Sequence, residues 1–248
     1  MKKVVLFLTF HLLLTSKGIS QDDDRKGFTS INLGVSIPTG NYGSTDFNNS
    51  EAGYATTGLV IDYTFGHKIS KNLGVSAILR SQANGVDVGV YAQGLANYLG
   101  ASNPSESTSV RVKSSVYSLG GLLAGIYGTF PIANKLSFEP RAMVGFSAAT
   151  LPSMTTEAFE SGTKLTTFIQ EQASTVAFSY IIGTGVKLNV SKRICVLLNL
   201  DFYAAKAKWE NVQVIGIGHI TGTTEIRYFD YNHNFGTVNI STGLGFRF

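Results

Sequence analysis

The sequence predicts an all-β protein, an up-and-down antiparallel β-barrel of eight strands that crosses a membrane. Three observations lead there. Apolar residues recur at every second position in segment after segment. These segments are joined alternately by short turns and long polar connections. The residues between the apolar ones are mostly Gly, Ser, Thr and Asn, not the Lys and Glu of a water-exposed sheet.

The 248 residues are 44% hydrophobic and 15% charged, with a mean hydropathy of +0.13. The low charge argues against a disordered chain, and the hydropathy is far below that of a polytopic helical membrane protein. A lone Cys195 excludes an internal disulfide framework and any cysteine-cluster metal site. Met1 to Ser20 reads as an export signal: Lys2 and Lys3, an apolar run from Val4 to Leu14, then Gly18-Ile19-Ser20 before Gln21. The run is too short for a transmembrane anchor, which needs about 20 apolar residues. The formal charge of +4 includes Lys2, Lys3 and Lys17 of this leader. Without them it falls to +1, and no nucleic-acid partner is implied. The expected organisation is a signal peptide over 1–20 and one barrel domain over 21–248.

The period-two segments follow in order. Ile31, Leu33, Val35 and Ile37 alternate with Ser30, Asn32, Gly34 and Ser36; Leu59 to Phe65 and Leu73 to Leu79 repeat the pattern. Val116 to Phe130 is apolar in both phases, so its facing is open, and Gly120-Gly121 is a candidate bulge. Leu136 to Phe146, Phe178 to Val190, Ile194 to Phe202 and Val238 to Phe248 alternate cleanly. Three short turns resemble one another: Ile69-Ser70-Lys71-Asn72-Leu73, Ile132-Ala133-Asn134-Lys135-Leu136 and Val190-Ser191-Lys192-Arg193-Ile194. The long connections are roughly Pro38–Gly53, Ala83–Lys113, Thr150–Ser174 and Ala205–Asn234. Within the second, Val88, Tyr91, Ala92, Leu95 and Leu99 have helical spacing, for a short helix over the barrel mouth or against headgroups. Gln213–Ile220 and Thr223–Tyr231 form either an extracellular hairpin or two further spanning strands, giving ten. Glu225, Arg227 and Asp230 across both phases favour the hairpin.

The apolar phase carries no charge over the seven clear strands, whereas a charge facing mid-bilayer would cost about 2–4 kcal/mol. Small polar residues suit the narrow lumen of eight strands. The apolar phase is therefore assigned to lipid. Aromatics at both strand ends support this. Phe28, Tyr63, Phe65, Tyr127, Phe130, Phe138, Phe246 and Phe248 lie beside the short turns; Tyr54, Tyr117, Phe146, Phe178, Tyr180 and Phe202 lie toward the loops.

The terminal strand Val238 to Phe248, with alternate apolar residues, Phe246 two from the end and a final Phe248, resembles the assembly signal of outer-membrane proteins. Together with the leader, Pro38-Thr39-Gly40 and the loop rhythm, it resembles the small outer-membrane β-barrel family, the OmpA/OmpW-like porin family. The resemblance implies an outer-membrane location with both termini periplasmic, outer-membrane lipid as surroundings, and Phe246 and Phe248 read by the barrel-insertion machinery. A monomer is expected.

With this orientation the inward charges are Asp62, Arg80, Glu139, Arg141, Lys187, Asp201 and Arg247, and in a narrow lumen they must pair. Counted from the short turns, Asp62, Glu139, Arg141 and Lys187 fall at similar low depth, with Arg80 and Asp201 higher. Glu139–Lys187 is the expected pair because their strands are neighbours. Such a bonded plug is favoured over a conductance path. His219 and His233, with Asp230, Glu225 and Ser241, could be imagined as a His/Asp/Ser set, but no motif fixes their spacing. No catalytic residue, metal ligand or cofactor is assigned. The expected function is a porin-like or surface-binding membrane barrel. The rival classes are a membrane-embedded lipid enzyme and a soluble lipid-carrying barrel.

Overall fold

Strict alternation of aliphatic with small polar residues gives each segment one greasy and one polar face, and backbone pairing with two neighbours satisfies its donors and acceptors. The computed structural model describes residues 26–101 and 108–248; the leader expected over 1–20 lies outside them. In chain order the first elements are β1 (Gly27–Pro38), α1 (Gly40–Gly43), β2 (Gly58–Lys68), β3 (Leu73–Asn84), α2 (Val88–Ala101), β4 (Thr108–Ser114) and β5 (Tyr117–Gly128). They are followed by β6 (Phe130–Ala133), β7 (Leu136–Leu151), β8 (Met154–Glu160), β9 (Thr163–Gln170), β10 (Ala173–Asn189), β11 (Ile194–Gly218) and β12 (Thr223–Arg247).

Eight strands close into a ring. Antiparallel pairing runs β1–β2–β3–β5–β7–β10–β11–β12, and β12 returns to β1 from Phe28↔Arg247 to Pro38↔Thr237. Gly27 N donates to Phe248 O and Phe248 N to Gly27 O, both at 2.9 Å, so the seam is bonded to its end. In the turns after β2 and β10 a serine at the same position sets the geometry. Ser70 Oγ accepts from Leu73 N at 3.2 Å, and Ser191 Oγ accepts from Ile194 N at 3.0 Å.

The apolar phase faces outward. Ile31, Leu79, Leu122, Phe146, Ile182 and Leu244 are all more than half exposed, while Ser30, Asn32, Thr64, Ser179 and Asn199 of the other phase are buried. Val238, Ile240 and Leu244 point away from the axis, as the alternation predicts. Along β11 the large outward apolar side chains end at Phe202, and after Ala204 come Lys206 and Lys208 on the same face. The apolar band therefore stops near there, and the strands continue above it.

That continuation differs from the expected loops. β11 and β12 are each 25 residues long, and their upper halves form one hairpin, not two further spanning strands. A bulge between Trp209 and Val212 bends it, with Asn211 at φ 56, a conformation Asn tolerates. The connection expected over Thr150–Ser174 holds the β8–β9 hairpin, turned by Ser161 (φ 48) and Gly162 (φ 83). β9 pairs with upper β11, β8 with β9, and β4 with β8, so a sheet rises from one side of the mouth.

Two local expectations fail. β5 pairs in unbroken register through Gly120 and Gly121, so no bulge lies there. Its facing is now clear: Leu119, Leu123 and Tyr127 point inward, and Leu122, Ala124 and Ile126 outward. Leu119 and Leu123 pack with Ile78, Met143 and Ile181, so one wall of the lumen is apolar. For the same reason Phe28 and Tyr127 leave the outer aromatic belt; they are buried and meet edge to face at 5.6 Å. Tyr117 likewise turns into the mouth.

Candidate functional site

The antiparallel register about the turn at Lys71 sets Asp62 directly opposite Arg80. This corrects the expected depths, which put the two at different levels. Arg80 Nε and Nη2 donate to the two carboxylate oxygens of Asp62 at 2.7 and 2.6 Å, a bidentate fork. Arg80 Nη2 also reaches Asp201 Oδ2 at 2.9 Å. β3 and β11 stand on opposite sides of the ring, four strands apart, so this bond crosses the lumen. Arg141 closes the group with its own fork onto Asp201, at 2.8 and 2.7 Å.

Gly183 makes that last fork possible. It lies between Arg141 and Asp201 in the register, and a Cβ there would sit 2.0 Å from Asp201 Oδ1. Its missing side chain leaves the gap through which the guanidinium meets the carboxylate. Below, Lys187 contacts Glu139, and Thr129 Oγ1 donates to Glu139 Oε1 at 3.1 Å. The Lys187 ammonium also stands 5.1 Å over the Phe28 ring. Asp62, Arg80 and Asp201 are each 2% exposed or less. Within this group acids and bases match one for one, which offsets the desolvation of each charge.

Arg247 departs from the expected group. Its guanidinium lies at the rim, donating to the carbonyls of Ser191 and Lys192 at 2.7 and 2.8 Å. Cys195 is buried at the same end, against Gly245. Phe246 and Phe248 face outward, and Phe248 lies over Gly27 and beside Phe65, at 6.1 Å.

An aromatic stopper in the mouth was not legible in the sequence. α1 carries Tyr42 inward, where it is fully buried and packs edge-on against Phe235 (4.8 Å), Tyr117 (5.3 Å) and His233 (5.6 Å). Ala55 N donates to Tyr42 O at 3.0 Å, and Tyr117 Oη donates to Gly53 O at 3.1 Å, pinning the β1–β2 connection over the opening. Trp209 walls the opposite side, its Nε1 donating to Ala149 O at 3.1 Å. α2, present as the helical spacing predicts, supports this lid: Tyr91 meets Tyr54 at 5.2 Å, and Phe47 lies against Gly94. Tyr42 Oη and His233 Nε2 are buried without a hydrogen-bond partner. Burial pushes the Tyr42 phenol well above its ordinary range.

His233 lies above the apolar band, and burial beside Tyr42 and Tyr117 pulls it down to about 4 despite the opposing pull of Glu51. Its ordinary value is 6.5, so between these values the unfolded chain binds a proton that the folded stopper rejects. The stopper is therefore expected to be fully stable above about pH 6.5 and to loosen as pH falls toward 4. Proteolysis of the β1–β2 connection against pH reads this out, and His233→Phe should flatten the profile.

The residues of the imagined His/Asp/Ser set stand apart. His219 Nε2 is 2.9 Å from Thr167 Oγ1, Asp230 accepts from Asn211 N, Glu225 pairs with Arg227, and Ser241 lies deep in the lumen near Asn199. His233 and Ser241 lie at opposite ends of one strand segment, roughly 27 Å apart at the usual rise. Among the described residues no cluster of three or more His, Cys, Asp or Glu could hold a metal.

Ring, register and inward network together define an eight-stranded up-and-down antiparallel β-barrel. Among solved structures it is similar to a major outer membrane protein from Thermus thermophilus, with a TM-score of 0.47, 10% identity, and 90% of this chain and 99% of that one covered. It is also similar to Ail, the attachment invasion locus protein of Yersinia pestis (TM-score 0.42, 11% identity, 90% and 99% covered). Neisserial surface protein A gives a TM-score of 0.39 at 10% identity, with 90% and 97% covered. No family model and no curated protein matches the chain.

Proposed function

We propose that the protein is a monomeric outer-membrane β-barrel with a closed lumen, acting through its mouth and upper sheet as a structural or binding protein of the cell surface. The observation that carries the closed lumen is the Arg80–Asp201 bond, which joins opposite walls of the ring and is buried on every side. The Tyr42 stopper adds a second obstruction above it. The continuous outward band of aliphatics supports a lipid environment over a soluble carrier, which would leave Ile31, Ile61 and Leu198 in water. In this reading both termini are periplasmic, and Phe246 and Phe248 serve the insertion machinery. It assigns the chain no catalysis.

Planar-bilayer recording of the purified protein tests the closed lumen. No stable single-channel steps are expected from the wild type, whereas Arg80→Ala and Asp201→Ala combined with Tyr42→Ala, which removes both obstructions, should produce them. Regular ohmic steps from the wild type would overturn the reading. Location is checked separately: the protein should leave cell envelopes only with detergent and show a heat-dependent gel shift.

A further inference from the structure

We propose that the short-turn rim is a binding surface for anionic phospholipid headgroups, an inference that rests on the membrane-spanning reading above. Charge is unevenly distributed along the barrel axis. At the short-turn end stand Lys26, Lys68, Lys71, Lys135, Lys192, Arg193 and Arg247, and among the described residues no Asp or Glu joins them on the rim. Glu139, the nearest carboxylate, is turned into the lumen against Lys187. The opposite end is mixed and holds the exposed acids, among them Asp46, Glu51, Glu210 and Glu225. Asp22, Asp23 and Asp24 adjoin Lys26 in sequence, but they are too few to cancel the rim.

The turns say what kind of anion fits. Exposed Lys71 stands between Ile69 and Leu73, exposed Lys135 follows Ile132, and exposed Lys192 and Arg193 stand between Val190 and Ile194. The flanking aliphatics are themselves exposed, Ile69 by 66% and Val190 by 55%. Serine-bonded turn backbones hold two of these cations at one level just below the band. A soluble polyanion would answer the cations and leave the aliphatics in water. A phospholipid answers both, with its phosphate at the level of the cations and its acyl chains against the aliphatics.

The test uses the full chain in phosphatidylcholine vesicles carrying spin-labelled phosphatidylglycerol or spin-labelled phosphatidylcholine, read as the motionally restricted lipid fraction. At low salt the wild type should prefer phosphatidylglycerol by at least about threefold, and about 1 M NaCl should bring the two labels toward parity. The combined Lys71→Glu, Lys135→Glu, Arg193→Glu variant, its folding checked by the gel shift, should lose the preference. Lys206→Glu with Lys208→Glu, at the mouth, should keep it. Equal restriction of both labels by the wild type overturns the rim surface while leaving the membrane reading intact. No restricted lipid with either label overturns both. The salt dependence of the wild type stands even if the triple variant does not fold.

Discussion

Arg80→Ala is expected to destabilise the barrel by about 3–5 kcal/mol, the usual consequence of removing one partner from a buried ion pair. Arg80 supplies both hydrogen bonds to the Asp62 carboxylate and one to Asp201, and all three side chains are shut off from water. Without it Asp62 loses its one ion-pair partner among the described residues, whereas Asp201 still has the fork of Arg141. The loss should therefore trace mainly to Asp62, and Asp62→Asn in the Arg80→Ala background should recover part of it. Arg80→Lys should fall between, because one ammonium cannot make a bidentate fork and a cross-lumen bond together. Urea unfolding in detergent micelles or vesicles, read by the gel shift, measures the series. A loss below about 1 kcal/mol for Arg80→Ala would mean that water reaches the centre of the lumen and screens the carboxylates.

Tyr42→Ala should cost about 3–5 kcal/mol of the stability of the mouth, the range for deleting a buried aromatic ring. Tyr42 is the hub on which Tyr117, His233 and Phe235 converge. Its loss should free the β1–β2 connection to proteolysis while leaving the eight-strand ring folded. Tyr42→Phe should behave oppositely. The hydroxyl is buried without a partner, so removing it is expected to be neutral or stabilising by up to roughly 1 kcal/mol. A Tyr42→Phe variant as weak as Tyr42→Ala would show that the hydroxyl, not the ring, holds the lid.

These two sites differ in how far the amino-acid order announced them. Every member of the central ion group was visible as a charge in the polar phase of a strand, because a side-chain period of two assigns each residue a face without knowledge of its neighbours. Which charges would meet was harder. Asp62 and Arg80 lie symmetrically about the Ile69–Leu73 turn and could have been paired by reflection, yet the count of depths set them apart. The bond from Arg80 to Asp201 joins strands 121 positions apart in sequence, and only the closure and stagger of the ring bring them level. Arg247 shares the inward phase but lies at the rim, where turn carbonyls receive it.

The stopper left almost no trace in the sequence, since Tyr42 occurs in a polar, glycine-rich connection and only its burial reveals its purpose. The same holds for the strands above the band. β8, β9 and the upper halves of β11 and β12 are rich in Thr and in charges, and nothing in their own pattern distinguishes a solvated strand from a loop until a partner edge is supplied. β5, apolar in both phases, waited for Ile78, Met143 and Ile181 to show which side was inside.

Amino-acid order alone determined the antiparallel barrel, the rhythm of turns and connections, and the outward set of the aliphatic phase, while the choice between eight and ten strands waited for the pairing of upper β11 with β12. The first three follow from local alternation and turn chemistry, which act over a few residues. The tertiary structure decided the ion partners, the aromatic lid and the sheet above the mouth, because those depend on contacts between segments far apart in the chain, whose levels are set only when the ring closes.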